Sequence, residues 1–364
     1  MLRNTFFIIL LLLFGCTQFQ EECKALEPDG ISISADGKYI AAYNNEKLCV
    51  LEMKDFRTVN LFKDPNTTYL AAVWEKSSNL VFFQKNKSYE NTSYWLSSFN
   101  IDEGSIKNIS IAGKIHEIYG AQSLSFANES AVILNYEIEN MGHFELREAF
   151  FDPVSLDLIK IRKIYYKGIV DFSNDQYYAE SQVHNEETGR EIPYYLIRKT
   201  DEPKKNLYFK LPLGMEQFVL SKNRIIYINE NGKNASLKIR YIGENSTDIF
   251  ITEEKTVKID YENWLRGGPY TKELIVSKNG RYLIMSGSDD FPDARCDMPV
   301  KSTCNVAFIL VFDLERNKVI YADENDLFRS NRFHFSVSSS DELIYVFSGQ
   351  TLGEAKRVNL KNAD

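Results

Sequence analysis

The sequence has no cluster of basic residues and none of the common catalytic motifs. No run of cations is longer than two residues, as at Lys204-Lys205, and the formal net charge is −8. This argues against a nucleic-acid partner, because neutralising phosphates requires clustered Lys and Arg. A Gly-x-Ser-x-Gly nucleophile elbow, a His-Glu-x-x-His motif, a P-loop and a Gly-x-Gly-x-x-Gly loop are all missing. We therefore expect no cofactor and no chemistry of the chain's own.

Amphipathic helices and linkers are also scarce. Between residues 24 and 364 almost no stretch has the i, i+3, i+4, i+7 pattern of a helix, and no Pro-rich or low-complexity segment occurs. Aromatic residues make up 13% of the chain, with 21 Tyr and 24 Phe, which favours strands. The chain of 364 residues could hold two ordinary domains, but this pattern favours one large all-β domain.

Residues 1–15 have the pattern of a signal peptide. Arg3 supplies the positive charge, and Phe6–Phe14 is an unbroken apolar run of nine residues. That run is too short to span a bilayer as a helix and matches the hydrophobic region of an export signal. Arg3 is the only charged side chain in this leader, so its removal makes the remainder one unit more negative. We expect the mature protein to work outside the cytoplasm.

Leu13-Phe14-Gly15-Cys16 resembles the lipobox of bacterial lipoproteins. The resemblance implies cleavage before Cys16 and a lipid on its sulfur, although Phe14 departs from the small or aliphatic residue usual there. Residues 16–28 would then form a lipid-anchored N-terminus. Thr17 replaces the aspartate that commonly retains such proteins in the inner membrane, so the resemblance points to the outer membrane.

An ordinary secretory leader remains the alternative. Seven Asn-x-Ser/Thr sequons are compatible with a secreted eukaryotic glycoprotein of the same fold. They lie at Asn66, Asn86, Asn91, Asn108, Asn128, Asn234 and Asn245. In a chain rich in Asn, Ser and Thr, several of these would also arise by chance.

Four cysteines remain once Cys16 is assigned to lipid. An even number in an oxidising compartment predicts two disulfides, with three possible connectivities. Cys296 and Cys304 lie in one polar loop and are expected to pair, which leaves Cys23 with Cys49. The alternative for Cys49 is a buried free thiol, because it lies in an apolar run.

A weak internal repeat recurs along the chain. Its clearest copies are Ile31-Ser-Ile-Ser-Ala-Asp-Gly-Lys-Tyr-Ile40 and Leu274-Ile-Val-Ser-Lys-Asn-Gly-Arg-Tyr-Leu283. Asp-Gly and Asn-Gly predict tight hairpin turns. Seven units begin near residues 29, 69, 121, 167, 214, 269 and 331, each with three or four strand-like runs. This period predicts a β-propeller over residues 29–364, with seven blades and with six or eight as alternatives.

The last unit has only about three strand-like runs. Because a closed ring leaves no exposed sheet edge, we expect residues 19–26 to form the strand that completes the last blade. Cys23 would then lie on the closing blade and Cys49 on its neighbour, so their disulfide would hold the ring closed.

The element Ser-Ala-Asp-Gly-Lys-Tyr-Ile40 resembles the blade hairpin of TolB-like propellers, which is also found in propeller domains of dipeptidyl and prolyl peptidases. The resemblance covers most of residues 29–350 as a pattern. It implies a fold and no activity, since propellers host many unrelated functions.

Two segments are candidate ligand sites. Asp289, Asp290, Asp293 and Asp297 lie in a loop that ends near Cys296, and oxygen-rich clusters of this kind can hold calcium. The alternative is a solvated acidic loop. Trp264, Arg266 and Tyr270 have side chains favoured at binding hot spots, but packing between blades would explain them equally well.

These observations favour a membrane-tethered, extracytoplasmic propeller that binds an envelope protein or glycan. The alternative is a hydrolase or lyase whose site lies in the central channel. Residues distant in sequence would build such a site, so it would leave no linear motif.

Overall fold

The computed structural model describes residues 20–75, 78–87, 92–111, 118, 120–127, 131–140, 143–164, 177–185, 191–199, 201–202, 204–210, 218–231, 234–259, 270–291, 304–327, 333–347 and 350–363. The chain divides into two compact units. Unit 1 is Met1–Ile115 with His334–Val358, and unit 2 is His116–Phe333 with Asn359–Asp364.

Unit 1 begins with two four-stranded antiparallel sheets in which consecutive strands are neighbours. Their strands are β1 (Gly30–Ile33), β2 (Tyr39–Tyr43), β3 (Lys47–Glu52), β4 (Arg57–Lys63), β5 (Thr67–Trp74), β6 (Asn79–Lys87), β7 (Thr92–Asn100) and β8 (Ser105–Ser110).

The described residues of unit 2 form four antiparallel sheets of the same meander type. The strands are β9 (Gly120–Ala127), β10 (Ala131–Asn140), β11 (His143–Phe151), β12 (Leu158–Ile164), β13 (Tyr177–Asn185), β14 (Glu191–Lys199), β15 (Asn206–Phe209), β16 (Val219–Ser221), β17 (Arg224–Asn231), β18 (Asn234–Glu244), β19 (Ile249–Lys258), β20 (Tyr270–Val276), β21 (Tyr282–Phe291), β22 (Cys304–Asp313) and β23 (Lys318–Leu327). They form the sheets β9–β12, β13–β15, β16–β19 and β20–β23.

A seventh sheet follows, and most of its residues belong to unit 1. Its strands are β24 (Phe333–Val337), β25 (Glu342–Phe347) and β26 (Lys356–Asn359). A single 3-10 turn, Leu352–Glu354, joins β25 to β26. Within the described residues the prediction of an all-β fold is confirmed.

Middle and outer strands differ in burial because the sheets are covered on both faces. The second strand β25 is buried along five consecutive residues, and β3 along four. Such continuous apolar runs are typical of strands covered on both faces. The fourth strand β19 instead has mostly exposed residues, in keeping with a position at the sheet edge.

In unit 1 the alternation of side chains divides the core into two layers. Ala41 and Val50 pack with Trp74 and Phe82 of the second sheet. Their chain neighbours Ile40, Ala42, Cys49 and Leu51 pack on the other side, in a cluster that contains Ile344 of the last sheet and Leu26. One sheet therefore contributes alternate residues to two hydrophobic layers.

Unit 2 repeats this arrangement. Ile226 and Ile228 of β17 pack with Leu283 and Phe312 of the following sheet. Ile225 and Tyr227, which alternate with them, pack with residues of the preceding sheet such as Phe209.

The predicted closing strand at residues 19–26 is wrong as far as the described residues reach. Residues 20–24 are helical, and the amide of Ala25 donates to the carbonyl of Glu21 at 2.9 Å. The segment Gln20-Glu-Glu-Cys-Lys-Ala-Leu26 is rich in good helix formers, which explains the outcome. The last sheet has three strands in the described part of the chain.

The helical segment joins the first and last sheets of unit 1 without forming a strand. The amide of Leu352 donates to the carbonyl of Leu26 at 2.7 Å. The Gln20 side chain accepts from the amide of Thr58 at 2.7 Å and donates to the carbonyl of Phe56 at 2.6 Å. Sequence-distant ends of the chain therefore meet in one hydrogen-bonded unit.

Candidate binding surface

Four described turns join the first strand of a sheet to its second strand, and they have two features in common. Each begins with a buried serine: Ser34, Ser221, Ser277 and Ser338. Each contains one residue of positive φ: Gly37 at 73°, Lys222 at 52°, Gly280 at 74° and Asp341 at 65°. We call them the first-strand turns.

Local hydrogen bonds hold the turn after β1 in place. The Ser34 hydroxyl donates to the Asp36 carboxylate at 2.8 Å and accepts from the amide of Tyr39 at 2.9 Å. The same carboxylate oxygen accepts from the amide of Lys38 at 3.1 Å. Burial alone would raise the pKa of Asp36, but its hydrogen bonds with Ser34 and Lys38 outweigh burial and lower the pKa.

The turn after β20 reproduces this network with an amide in place of the carboxylate. Ser277 donates to Asn279 at 2.8 Å and accepts from the amide of Tyr282 at 3.0 Å. The amide of Gly280 donates to the Ser277 carbonyl at 2.7 Å. The two clearest sequence repeats are thus hairpins, as predicted, with equivalent turns.

First-strand turns of neighbouring sheets contact each other in unit 1. The Ser339 hydroxyl donates to the carbonyl of Ala35. A Cβ atom added at Gly37 would lie 3.3 Å from the Cβ atom of Ser338. The glycine therefore permits a positive φ and also a close approach between turns.

The same contact occurs in unit 2. Nη2 of Arg224 donates to the carbonyl of Gly280 at 2.5 Å. A Cβ atom added at Gly280 would lie 3.0 Å from Cε of Lys222 and 3.0 Å from Oγ of Ser221. We call residues 221–224 and 277–281 the basic turn pair.

The basic turn pair carries four cations and no acidic residue. They are Lys222, Arg224, Lys278 and Arg281. Both turns contain Ser-Lys-Asn, and both lysines are exposed. The first-strand turns of unit 1 instead mix charges, with Asp36 and Lys38 in one and Asp341 in the other.

Arg224 has only neutral hydrogen-bond acceptors within the described residues. These are the carbonyls of Gly280 and Ser221 and the Ser221 hydroxyl. Burial lowers the pKa of the guanidinium, against the opposing charges of Tyr241 and Glu315. A partly buried cation without a carboxylate partner would gain from a nearby anion.

Arg281 is neutralised locally. Its Nη2 donates to the Asp313 carboxylate at 2.7 Å and its Nε at 3.1 Å. Asp313 also accepts from the amides of Glu315 and Arg316 at 2.9 and 3.1 Å. Burial alone would raise the pKa of Asp313, but these hydrogen bonds lower it. The pair ties the basic turn to the outer hairpin of the same sheet.

Asp313 begins a second repeated turn, which sequence reasoning missed. Four of the five described turns between third and fourth strands contain a residue of positive φ, at Phe56, Gly104, Leu156 and Asn317; the turn between β18 and β19 does not. Asp152 accepts from the amides of Val154 and Ser155 just as Asp313 accepts from its own turn. The signal was present in the sequence as an aromatic residue followed by Asp or Asn, in Phe312-Asp, Phe151-Asp and Phe99-Asn.

The predicted disulfide between Cys23 and Cys49 is confirmed, with 5.8 Å between the Cα atoms. The alternative of a free thiol at Cys49 is therefore wrong. Cys304 is the first residue of β22, opposite Phe291. Cys296 lies outside the described residues, so the Cys296–Cys304 pair stays a prediction.

The other candidate residues are only partly described. Asp289 and Asp290 belong to strand β21, opposite Val306 and Asn305, whereas they were expected in the loop. Tyr270 begins β20, opposite Ser288. Outside the described residues lie Cys16, Trp264, Arg266, Asp293 and Asp297.

Neither a metal-ligating cluster nor a membrane-spanning helix occurs among the described residues. No group of three or more His, Cys, Asp or Glu side chains there is arranged to hold a metal ion. In the same residues, no helix combines the length and apolar character needed to cross a membrane.

The consecutive antiparallel meanders, with sheets packed on both faces, define the class as a β-propeller. Solved structures agree. The β-propeller domain of Cps50 (Swd1) from Myceliophteria thermophila matches 92% of this chain and 96% of its own, at 8% identity and a TM-score of 0.50.

Hsv2 from two yeasts is also similar. The Kluyveromyces lactis protein matches 88% of this chain and 90% of its own, at 10% identity and a TM-score of 0.52. The Kluyveromyces marxianus protein matches 89% and 90%, at 10% identity and a TM-score of 0.51. At these identities the likeness concerns the fold alone. No protein-family model and no curated protein sequence matches the chain.

Proposed function

We propose that this protein is an exported, lipid-anchored seven-bladed β-propeller that binds another component of the cell envelope and performs no chemistry itself. In this proposal each of the seven sheets is one blade. Lipid at Cys16 would tether the protein to the outer membrane, as the likeness of its leader to bacterial lipoproteins implies.

The observation that carries the proposal is the preorganised surface of first-strand turns. Hydrogen bonds of the buried serines hold the turns after β1 and β20 in place, and neighbouring turns are bonded to one another in both units. Polar and charged side chains on these turns are therefore presented at fixed positions. Such preorganisation lowers the entropy cost of binding a macromolecular partner.

The small number of residues between Cys16 and residue 20 supports capture of a membrane-associated partner. Only residues 17–19 lie between the proposed lipid site and the helical segment that is bonded to the first sheet. A tether of this length would keep unit 1 close to the membrane surface. A protein partner is favoured over a glycan, because the described turns present charges instead of exposed aromatic platforms.

The test is crosslinking and affinity capture from native membranes, beside a screen of esterase, peptidase and glycosidase substrates. We expect a reproducible partner, no turnover, and palmitate labelling of the wild type that is lost in Cys16→Ala. Turnover without a partner would favour the hydrolase or lyase alternative. Equal labelling of both proteins would remove the lipid anchor, and N-glycans on the native protein would favour the secreted glycoprotein.

A further inference from the structure

We propose that the basic turn pair docks an acidic segment of a partner protein. This inference rests on the proposed function and specifies its partner. The first reason is charge. The chain as a whole has a net charge of −8, whereas the two turns bring together Lys222, Arg224 and Lys278 beside Arg281, which is paired with Asp313 and Glu315. Local charge opposite to the overall charge steers an anionic partner to one place.

The second reason is the state of Arg224. Its guanidinium is held at the contact between the turns by the Gly280 carbonyl. Within the described residues Arg224 forms no ion pair with a carboxylate, and Glu315 acts on it only electrostatically, without a hydrogen bond. Arg281, its counterpart on the adjacent turn, has such a partner in Asp313. A partner carboxylate would give Arg224 the ion pair that Arg281 already has.

The third reason distinguishes a carboxylate-bearing segment from a phosphate group. Compact phosphate sites use rows of free backbone amides. In the turn after β20, the amides of Gly280, Arg281 and Tyr282 already donate within the turn. At this turn, recognition would therefore rely on side chains. The exposed Lys222 and Lys278 lie on two separate turns, which suits several carboxylates spaced along a peptide.

The probe is a fluorescent 12-residue peptide of alternating Glu and Gly, titrated into the full-length protein in detergent. Lys222→Gln/Lys278→Gln is the test variant. The matched control is Lys204→Gln/Lys210→Gln, which removes two exposed lysines elsewhere in unit 2. We expect the test variant to bind at least tenfold more weakly and the control to bind as the wild type does. Wild-type affinity should also fall with added salt.

Arg224→Lys keeps the charge but loses the planar fork, so we expect a smaller loss of affinity than in the double variant. Circular dichroism and urea unfolding verify that each variant is folded. Equal affinities of the test and control variants would overturn the inference. Displacement of the peptide by pyrophosphate at concentrations below the peptide Kd would also overturn it, in favour of a phosphate site.

The membrane capture experiment separates this inference from the proposed function. If the partner is recovered equally by wild type and Lys222→Gln/Lys278→Gln, the turn pair is not its docking site, although the scaffold function stands. If no partner is recovered and turnover is found, the scaffold function is wrong whatever the peptide binds.

Discussion

The small residues glycine and serine determine how closely the first-strand turns pack. At Gly280 the φ angle of 74° places the residue in the left-handed region, which L-residues with a Cβ atom adopt at a cost of about 1–2 kcal/mol. The space around it is also restricted by Ser221 and Lys222. Gly104 has a similar φ of 62° but no neighbouring heavy atom within 4 Å of an added Cβ.

This contrast gives the first prediction. Both Gly104→Ala and Gly280→Ala should lose about 1–2 kcal/mol of unfolding free energy from the backbone conformation. Gly280→Ala should lose about 1 kcal/mol more, because the added methyl group must push aside the side chains of Ser221 and Lys222. Urea unfolding of both variants measures the difference. Equal losses would mean that the contact between the two turns is not tight in solution.

At the scale of the hairpin, a buried carboxylate organises the turn between β22 and β23. Asp313 is fully buried and accepts hydrogen bonds from Arg281 and from two amides of its own turn. Its pKa is lowered in the folded protein, so the folded state favours the ionised form. The stabilisation is present above the unfolded pKa of about 3.9 and is lost as the pH falls through the lower folded value.

Asp313→Asn should therefore lose about 2 kcal/mol of unfolding free energy at pH 7, because it removes a charge-assisted hydrogen bond. Its stability should also decline less steeply than that of the wild type as the pH falls below about 4. Urea unfolding between pH 7 and pH 3 measures both effects. Parallel pH profiles of the two proteins would show that Asp313 does not contribute to acid sensitivity.

The N-terminal segment shows why an element can be mistaken from the sequence. The need to complete the last sheet suggested a strand at residues 19–26, but local propensity favours a helix there. The segment reaches the neighbouring sheet through side-chain and end-group hydrogen bonds, as at Gln20 and Leu26. The need to complete the last sheet therefore does not determine whether the segment that packs there is a strand or a helix.

At the scale of the whole chain, the Cys23–Cys49 disulfide secures this segment to β3. The bond links residues that are 26 positions apart, and both cysteines are buried. In the chain-entropy model, a loop of that length stabilises the folded state by about 3.5 kcal/mol.

Cys23→Ser/Cys49→Ser should accordingly unfold with about 3.5 kcal/mol less free energy than the wild type, under oxidising conditions. Cys296→Ser/Cys304→Ser retains the Cys23–Cys49 bond and serves as the comparison. Added reductant should strongly lower the unfolding free energy of that comparison variant. It should lower the unfolding free energy of Cys23→Ser/Cys49→Ser by a smaller amount. An equal effect of reductant on both variants would contradict the prediction.

The sequence alone determined the features that depend on residues close together in the chain. Short strand-like runs predicted the strands, and Ser-x-Asp-Gly and Ser-x-Asn-Gly predicted hairpin turns whose hydrogen bonds lie within six residues. The repeat period predicted the propeller class. Elimination among the cysteines led to Cys23 and Cys49, although the strand that was expected to bring them together is a helix.

Only the tertiary structure decided which turns meet and what charge they share. Arg224 bonds to Gly280, which is 56 residues away, and no local pattern marks such a pair. The four cations of the basic turn pair are divided between two short segments, and neither segment is a basic run in the sequence. Packing of one sheet on the next brings the segments together, so their combined charge exists only in the folded chain.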